Sequence, residues 1–427
     1  MDMKELYAVY QQYPSVVTDT RNIRPNDLFF ALKGPNFNGN HYAKQALEAG
    51  ASFCIVDEDP GINDPRIIRV NDTLLTLQDL AKTHRQQFDI PFIAITGSNG
   101  KTTTKELIHA VLSTTFNTYT TTGNLNNHIG VPLTILKIKK DANMAVIEMG
   151  ANHQLEIKSY CEYAMPTHGL ITNCGKAHLE GFGGEEGVRK GKGELFDYLR
   201  AHQGTAFIYS DYDYLGEMSK GIEHISKYGT GLQDAELTGK VTSDRDFLQV
   251  TITKGADINL IKTQLVGGYN LPNVLAAVAI GKYFQVPDEK IKSSLENYVP
   301  SNSRSQLIEK NGHKIILDAY NANPTSMKAA IENFSRMEGS NKILMLGSMM
   351  ELGNESSKEH HQIVELIGQY PWKNVVLVGD GFKHIHGSYH HSNNAAEAGK
   401  WFHEQVVEPS SILIKGSRSM QMEKILE

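Results

Sequence analysis

The sequence predicts an α/β protein of three domains with a mainly parallel sheet in the central domain, and three observations support this. The chain has 427 residues, which allows about three domains at ~150 residues each. A loop bracketed by glycines joins an apolar strand to a helix after residue 96. From residue 303 onward, strands and helices alternate regularly, as they do in a parallel sheet covered by helices.

The composition is that of an ordinary globular protein, with 40% hydrophobic and 21% charged residues. A net charge of −6 gives no general basic surface for nucleic acid or membrane, so bound anions need local positive sites. The cysteines Cys54, Cys161 and Cys174 lack metal-ligand spacing and favour a reducing cytoplasm. The polar N-terminus does not resemble a signal peptide, and no apolar run reaches the ~18 residues of a membrane span.

The first domain is predicted to cover residues 1–88. Strands are expected at residues 27–32 and 52–56, and helices at 41–49 and 74–88. The Asp89-Ile90-Pro91 segment ends the last of these helices, because proline and the residue before it resist helical geometry. The central domain, residues 89–302, therefore begins here.

A phosphate-binding loop is the strongest functional signal. The loop runs Gly97-Ser98-Asn99-Gly100-Lys101-Thr102-Thr103, and its glycines let backbone N–H groups surround an anion at a helix N-terminus. Lys101 is expected to reach the β- and γ-phosphates and Thr102 to hold Mg²⁺. Ile95 stands where the general pattern has glycine, so this is the shorter G-x-x-G-K-T form. The alternative is a glycine-rich turn without a ligand.

Polar residues follow two further strands of the central domain. Glu148 ends the apolar strand at 144–148, where an acid beside a phosphate loop binds the Mg²⁺ of the nucleotide. His178 follows the strand at 169–173, at the sheet edge where α/β proteins bind ligands. Exposed or core positions without a ligand are the alternatives for both residues.

Two further segments of the central domain have an open interpretation. Asn124, Asn126 and Asn127 are amides that suit a polar ligand, but a turn accounts for them equally well. Lys192 lies in a basic segment that is read as a loop or the start of a helix. Residues 235–261 have the period-two pattern of a small antiparallel piece.

The last domain, residues 303–427, is predicted to be Rossmann-like. Asn323 and Pro324 are suited to begin a helix, and Ser356 with Glu359 suggests a capping box. No G-x-G-x-x-G is present, so this topology does not imply NAD. Lys415 and Arg418 concentrate positive charge after the last strand. The predicted strands are 314–317, 342–346, 374–378 and 411–414, and the helices are 325–334, 357–367, 395–405 and 418–426.

Taken together, these segments resemble the Mur ligases of peptidoglycan synthesis. The resemblance is carried, in the family's order, by Thr18 to Arg21, residues 27–32, the phosphate loop, residues 123–134, Glu148 to Ala151, residues 173–180, Asp318 to Ser326, residues 346–353 and Lys415 to Arg418. It implies a first domain that holds the UDP end of the substrate, a central P-loop ATPase and a third domain that closes over ATP and the incoming amine.

The resemblance also implies an activity. The segments are most similar to the dipeptide-adding members, which implies an ADP-forming ligase that joins D-alanyl-D-alanine to UDP-N-acetylmuramoyl-tripeptide through an acyl phosphate. It implies ATP and two Mg²⁺ ions, a cytoplasmic location and a monomer. The alternatives are another Mur-type ligase, a folylpolyglutamate synthase-like ligase or a nucleotide switch without ligase activity. The Asp-Asn-Pro-Arg motif of the diaminopimelate-adding members is absent.

The resemblance further implies roles for individual residues. Lys101, His178 and Lys192 are the implied catalytic residues, and Lys192 corresponds to the family's carbamylated lysine. Thr102, Glu148, His178 and the carbamate on Lys192 are the implied metal ligands. Beyond the phosphate loop, ATP would meet Asn273 at adenine, Asp318 at ribose and Arg304 at the phosphates. The implied substrate residues are Thr20, Arg21, Asn124, Asn126, Asn127, Asn321, Asn323, Lys415 and Arg418. One departure is Ser348, where the family usually has aspartate.

Overall fold

The computed structural model describes residues 1–231, 234–301 and 303–427. Within them, the chain forms three sheets packed with helices and one small hairpin, so the predicted α/β class is confirmed. The predicted domain boundary at residue 302 lies outside the described residues. The three predicted domain ranges remain predictions, although each sheet falls within one of them.

The first sheet is parallel and has the strand order β1-β2-β5-β6. Three helices accompany it, and a hairpin of β3 and β4 stands apart. The elements in chain order are α1 (Met3–Gln12), β1 (Val16–Val17), β2 (Leu28–Phe30), β3 (Lys33–Gly34), β4 (Phe37–Asn38), α2 (Ala43–Glu48), β5 (Phe53–Val56), β6 (Ile67–Arg69) and α3 (Thr73–Arg85).

The second sheet has nine strands in the order β15-β14-β13-β12-β11-β10-β7-β9-β8. Its strands are parallel from β8 to β13, and β13, β14 and β15 pair antiparallel as predicted for residues 235–261. The elements are β7 (Phe92–Thr96), α4 (Lys101–Leu112), β8 (Thr118–Thr120), α5 (Gly130–Ile135), β9 (Met144–Glu148), α6 (Glu156–Ala164), β10 (His168–Ile171), α7 (Leu179–Phe182), α8 (Glu185–Ala201), β11 (Thr205–Tyr209), α9 (Asp213–Met218), β12 (His224–Gly229), β13 (Leu237–Ser243), β14 (Gln249–Lys254), β15 (Ile261–Lys262), α10 (Leu271–Tyr283) and α11 (Asp288–Asn297).

The third sheet has the order β16-β17-β21-β18-β19-β20 and is parallel except for the β16–β17 pair. Asn323 caps α12 with Pro324 in its first turn, which confirms that prediction. The elements are β16 (Gln306–Lys310), β17 (His313–Asp318), α12 (Pro324–Arg336), β18 (Ile343–Gly347), α13 (Ser356–Ile367), β19 (Asn374–Val378), β20 (His390–Ser392), α14 (Ala395–Gln405) and β21 (Ser411–Lys415).

The central sheet brings its polar strand ends together. All residues of β7 and β9 are buried, because helices cover both faces of this parallel region. β7 lies between β9 and β10, so Thr96, Glu148 and Thr172 meet at one carboxyl edge. This edge is where the phosphate loop leaves the sheet.

Three local predictions were wrong. Residues 418–426 form two short 3₁₀ helices separated by Gln421, which has a left-handed backbone, rather than one α-helix. Ser356 is the first residue of α13 rather than its N-cap, and the Glu359 carboxylate accepts a hydrogen bond from Lys176 of the central region at 2.7 Å. Lys192 lies in the middle of α8, not in a loop or at a helix start.

The described residues contain no helix with the length and apolar character needed to cross a membrane. The three cysteines are free thiols.

Candidate active site

The phosphate loop has the predicted strand–loop–helix geometry. β7 ends at Thr96 and α4 begins at Lys101, with Gly100 in a left-handed conformation (φ 79°) as the N-cap. Gly97 also has a positive φ of 140°, and a Cβ there would lie only 2.0 Å from Oγ1 of Thr172. Both positions therefore need glycine, and the loop presents the N-terminus of a twelve-residue helix to an anion.

Lys101 lies over this loop and has no acidic partner at ion-pair distance among the described residues. Its Nζ donates to the carbonyl of Gly97 at 2.6 Å and approaches that of Ser98 at 3.3 Å. Burial lowers the pKa of Lys101, the charge of Glu148 opposes this change, and the charge of Arg304 adds to it. The ammonium thus depends on neutral carbonyls, which an anionic phosphate would replace favourably.

Thr102, Glu148 and Asn126 form a compact polar cluster beside Lys101. The Thr102 hydroxyl donates to Glu148, 2.8 Å from Oε2, and Asn126 Nδ2 donates to Oε1 at 2.7 Å. Glu148 is only 1% exposed. No group of three or more histidine, cysteine or acidic side chains with metal-binding geometry occurs in the described ranges. A single carboxylate with a hydroxyl fits Mg²⁺, which keeps several waters and is shared with phosphate oxygens.

Lys192 is buried on α8 without a carboxylate partner in the described part of the chain. Its Nζ donates to the carbonyl of Ala151 at 2.9 Å and lies 4.8 Å from the Phe182 ring centroid. Burial, followed by the charge of Lys101, holds the pKa of Lys192 well below its usual range. Compared with a lysine in water, these surroundings disfavour the protonated, charged form of the amine.

His178 belongs to a contact between the central and third regions. It has a left-handed backbone (φ 52°) before α7, an uncommon conformation for a non-glycine residue. Its Nδ1 lies 2.5 Å from Oε2 of Glu351, at ion-pair distance. This ionic contact and a hydrogen bond to the His178 ring lower the pKa of Glu351. Sequence analysis predicted His178 but missed Glu351, since nothing local distinguishes that acid.

The third region also touches the phosphate loop directly. Asn323 Nδ2 donates to Asn99 Oδ1 at 2.7 Å, and the Lys176 backbone N–H donates to Thr325 Oγ1 at 3.0 Å. The Lys176 ammonium reaches Glu359, as noted above. Residues more than 140 positions apart in the chain thus form one continuous polar surface.

Asn273 lies close to Gly100 of the phosphate loop. Its Oδ1 accepts a hydrogen bond from Thr104 and its Nδ2 donates to Asn270. A Cβ on Gly100 would approach this Oδ1 to 2.8 Å. The structure therefore places Asn273 close to the loop, and its predicted contact with adenine is untested.

Asp318 and Lys415 form a buried ion pair at the ends of neighbouring strands β17 and β21. Lys415 Nζ lies 2.5 Å from Asp318 Oδ2 and 3.2 Å from the Asn321 carbonyl. The other carboxylate oxygen accepts the Ser305 backbone N–H at 3.1 Å. The charge of Lys415 is thus largely neutralised in place.

Arg304 and Arg418 share one aromatic neighbour. Arg304 Cζ lies 3.5 Å over the ring centroid of Tyr320, and Arg418 Cζ lies 5.9 Å from it. Arg418 is exposed and pairs with Glu423 at 3.2 Å. Sequence analysis did not identify Tyr320, because an aromatic residue in a strand-to-helix loop gives no specific signal.

The remaining predicted residues are spread more widely. Arg21 is highly exposed and pairs with Asp19 beside Thr20 in the first region. Asn127 Oδ1 accepts the N–H groups of Ile129 and Gly130 at the start of α5, and Asn124 is exposed. Of the three asparagines only Asn126 contacts Glu148. The turn interpretation therefore accounts for Asn127.

Electrostatically, the site combines the basic side chains of Lys101, Lys192 and Arg304 with the buried acid Glu148. Lys101 lies within electrostatic range of Lys192, Arg304 and Glu148. Unpaired cations close together are unfavourable unless a polyanion neutralises them. The arrangement is suited to a nucleoside triphosphate and a second anionic reactant.

Comparison with protein-family models finds three matches that follow one another along the chain. Residues 12–85 match the model described as Mur ligase family, catalytic domain. Residues 95–281 match the Mur ligase middle domain, and residues 303–418 match the Mur ligase, glutamate ligase domain.

Individual proteins show the same similarity over nearly the whole chain. The UDP-N-acetylmuramoyl-tripeptide–D-alanyl-D-alanine ligase of Bacillus subtilis is 35% identical, over 96% of this chain and 92% of its own length. A crystal structure of MurF from Acinetobacter baumannii superposes with a TM-score of 0.88 at 32% identity, covering 96% and 92% of the two chains. A MurF ligase from Thermotoga maritima in complex with ADP has a TM-score of 0.86 at 26% identity, covering 96% of each chain.

Proposed function

This chain belongs to the Mur ligase family, and we propose from that premise that it joins D-alanyl-D-alanine to UDP-N-acetylmuramoyl-tripeptide. The reaction consumes ATP and forms ADP and phosphate. It is a step in making the peptidoglycan precursor, and we place it in the cytoplasm with the enzyme acting as a monomer.

The observation that carries the proposal is Lys101 on the phosphate loop, within electrostatic range of both Arg304 and Lys192. The tripeptide carboxylate and the γ-phosphate are both anions, so their approach requires neutralisation and fixed in-line geometry. In our scheme a carboxylate oxygen bonds to the γ-phosphorus while the bond to the bridging oxygen of ADP breaks. The neutral amine of the dipeptide then attacks the acyl carbon, phosphate leaves, and the amine releases one proton.

The residues present fit Mg²⁺ beside the phosphate loop. Thr102 and Glu148 would hold one ion, and His178 with a carbamate on Lys192 would hold a second. Bound Mg²⁺ would neutralise the charge of the phosphates and of the carboxylate. The Thr102–Glu148 contact of 2.8 Å keeps these two oxygen ligands together before any ion is bound.

A carbamate on Lys192 is supported by the chemistry of its surroundings. The neutral amine would add to carbon dioxide, forming an N–C bond and releasing one proton. The product is an anion, which would attract the Lys101 ammonium, whereas a protonated Lys192 would repel it.

We assign the remaining predicted residues by region. Thr20 and Arg21 would contact the UDP end of the substrate. Arg304 and Asp318 would contact ATP, together with Asn273. Asn321, Asn323 and Arg418 would face the incoming dipeptide, along with Lys415 and the asparagines Asn124 and Asn126. Lys415 is paired with Asp318, so we expect it to act mainly by orienting that acid.

A phosphate-release assay tests the proposal. Purified protein with ATP and Mg²⁺ should release ADP and phosphate only when UDP-N-acetylmuramoyl-tripeptide and D-alanyl-D-alanine are both present. Two other substrate pairs test the alternative ligase activities. One is a UDP-N-acetylmuramoyl-dipeptide with a diamino acid, and the other is a folate with glutamate. Turnover with one of those pairs, or nucleotide binding without turnover, would contradict the assignment.

A further inference from the structure

Arg304 is held in the site without an acidic partner. Its guanidinium lies over the face of Tyr320, with Cζ 3.5 Å from the ring centroid. Its Nε is buried and has no hydrogen-bond partner within residues 1–231, 234–301 and 303–427. Among the described residues no carboxylate reaches it at ion-pair distance. A flexible, cationic side chain is therefore located mainly by an aromatic face.

The backbone around Arg304 is held in place equally closely. Ser303 and Ser305, on either side, both have left-handed conformations, with φ of 55° and 48°. Such non-glycine residues persist only where surrounding contacts enforce them. Here the Tyr320 N–H donates to the Ser303 carbonyl at 3.3 Å, and the Ser305 N–H donates to Asp318. The turn that presents Arg304 is thus attached on both sides to the end of β17.

An aromatic partner leaves the Arg304 guanidinium with properties that a carboxylate partner would remove. A carboxylate would fix the guanidinium, but it would consume its N–H donors and neutralise its charge. An aromatic face attracts the cation through the ring quadrupole and leaves the N–H groups at the edge available. Asp318 and Lys415, only a few residues away along the same strand ends, show the other arrangement.

We propose that Tyr320 is a positioning residue that holds the Arg304 guanidinium ready to bind the transferred phosphoryl group. This inference rests on the proposed ligase function. Arg418, at 5.9 Å and paired with Glu423, shares the ring more weakly and is not part of the proposal.

A double-mutant cycle tests it, with steady-state ADP release measured for wild type, Tyr320→Leu, Arg304→Ala and the double variant. Tyr320→Leu should lower kcat about 3- to 30-fold, with a smaller change in the KM for ATP, because a cation–π contact of ordinary strength is lost. In the Arg304→Ala background, Tyr320→Leu should lower kcat by less than about twofold. Equal losses in both backgrounds would overturn the proposal.

Two further variants make the test independent of how well Tyr320→Leu folds. Tyr320→Phe preserves the ring face and should keep most of the turnover that leucine loses, whereas a loss as large as that of leucine would assign the role to the hydroxyl and refute ours. Arg304→Lys preserves the charge but not the planar group, and should lower kcat at least about tenfold. A lysine variant with wild-type turnover would also refute it.

The design separates this proposal from the function it rests on. If wild type releases no ADP with both substrates, the proposed function fails. If wild type is active and the cycle shows no coupling between the two positions, the function stands and the role of Tyr320 fails.

Discussion

Two lysines in this molecule are almost equally buried, yet their surroundings differ. Lys192 in the central region is 1% exposed and Lys415 in the third region is 2% exposed. Lys415 faces a carboxylate at 2.5 Å, whereas Lys192 has a backbone carbonyl, a ring face and a nearby cation. The first arrangement gives the ammonium a counter-charge, and the second disfavours the charged form and so lowers the pKa of Lys192. Burial alone therefore does not indicate what a lysine does.

Lys101 should show the largest effect on turnover, because its Nζ lies on the phosphate loop and, among the described residues, is bonded to backbone carbonyls rather than to an acid. Lys101→Ala should lower kcat for ADP release by about 10³-fold, the upper range for removing one preorganised electrostatic group. Lys101→Met of similar length is the matched control for lost packing. Retention of more than a tenth of the turnover would exclude this lysine from the mechanism.

Replacing Lys192 should have the second-largest effect on turnover. Lys192→Ala should lower turnover about 10²-fold or more, since it removes the group we expect to become an anionic ligand. Added acetate or formate should restore part of the activity, and the same acids should leave Lys101→Ala unchanged. Mass spectrometry of wild type under bicarbonate should show the carbamate mass on the peptide containing Lys192. Absence of both rescue and added mass would contradict the carbamate.

Removing the Asp318 charge would leave Lys415 buried without a carboxylate partner, as Lys192 is among the residues that the structure describes. Asp318→Asn removes the counter-charge of a buried ammonium and should lower the free energy of unfolding by about 3 kcal/mol. Lys415→Met leaves the Asp318 carboxylate unpaired, but this group is more exposed than the lysine. The variant should therefore lower the free energy of unfolding by less than Asp318→Asn does. Urea unfolding at neutral pH compares the two variants. Equal or reversed costs would show that the lysine tolerates burial without its partner.

His168 extends the comparison to a base remote from the site. It packs against Phe207, Tyr283 and Phe284, and burial lowers its pKa from 6.5 to about 4. Between these values the unfolded chain binds more protons than the folded protein, so the free energy of unfolding falls as the pH is lowered.

We expect the free energy of unfolding to fall by about 1 kcal/mol for each pH unit between pH 6.5 and 4. His168→Phe should reduce the slope of stability against pH by that amount, and His202→Phe at an exposed position serves as the control. Parallel curves for wild type and His168→Phe would mean that burial does not determine the protonation of this ring.

Several features of the fold were predictable because they depend on neighbouring residues. The strand, loop and helix around Gly97 and Gly100 follow from apolar residues, glycine geometry and helix-starting chemistry within a dozen positions. Asn323 with Pro324 at the start of α12 is a similar case. Glu148 at the end of a buried strand could be placed because parallel strands bring their carboxyl ends to one edge.

The errors occurred where a distant partner outweighed the local signal. Glu359 has the spacing of a capping box, but an ion pair with Lys176 takes its carboxylate. The glycines around Lys192 weaken helix propensity, yet Gly191 packs so closely on Phe182 that a Cβ would lie 2.4 Å from the ring. Residues 185–201 therefore form a helix because of packing.

By itself, the amino-acid sequence determined that this chain has a phosphate loop on a parallel sheet, and the residue types available for phosphate and metal. Tertiary structure alone decided which charges are paired. Lys415 pairs with Asp318, Arg304 packs on Tyr320, and Lys192 has no acid at ion-pair distance in the part of the chain that the structure describes. The physical reason is that burial and charge interactions act over a few ångströms in space, while the residues involved can be as far apart in the chain as Asp318 and Lys415, which are 97 positions apart.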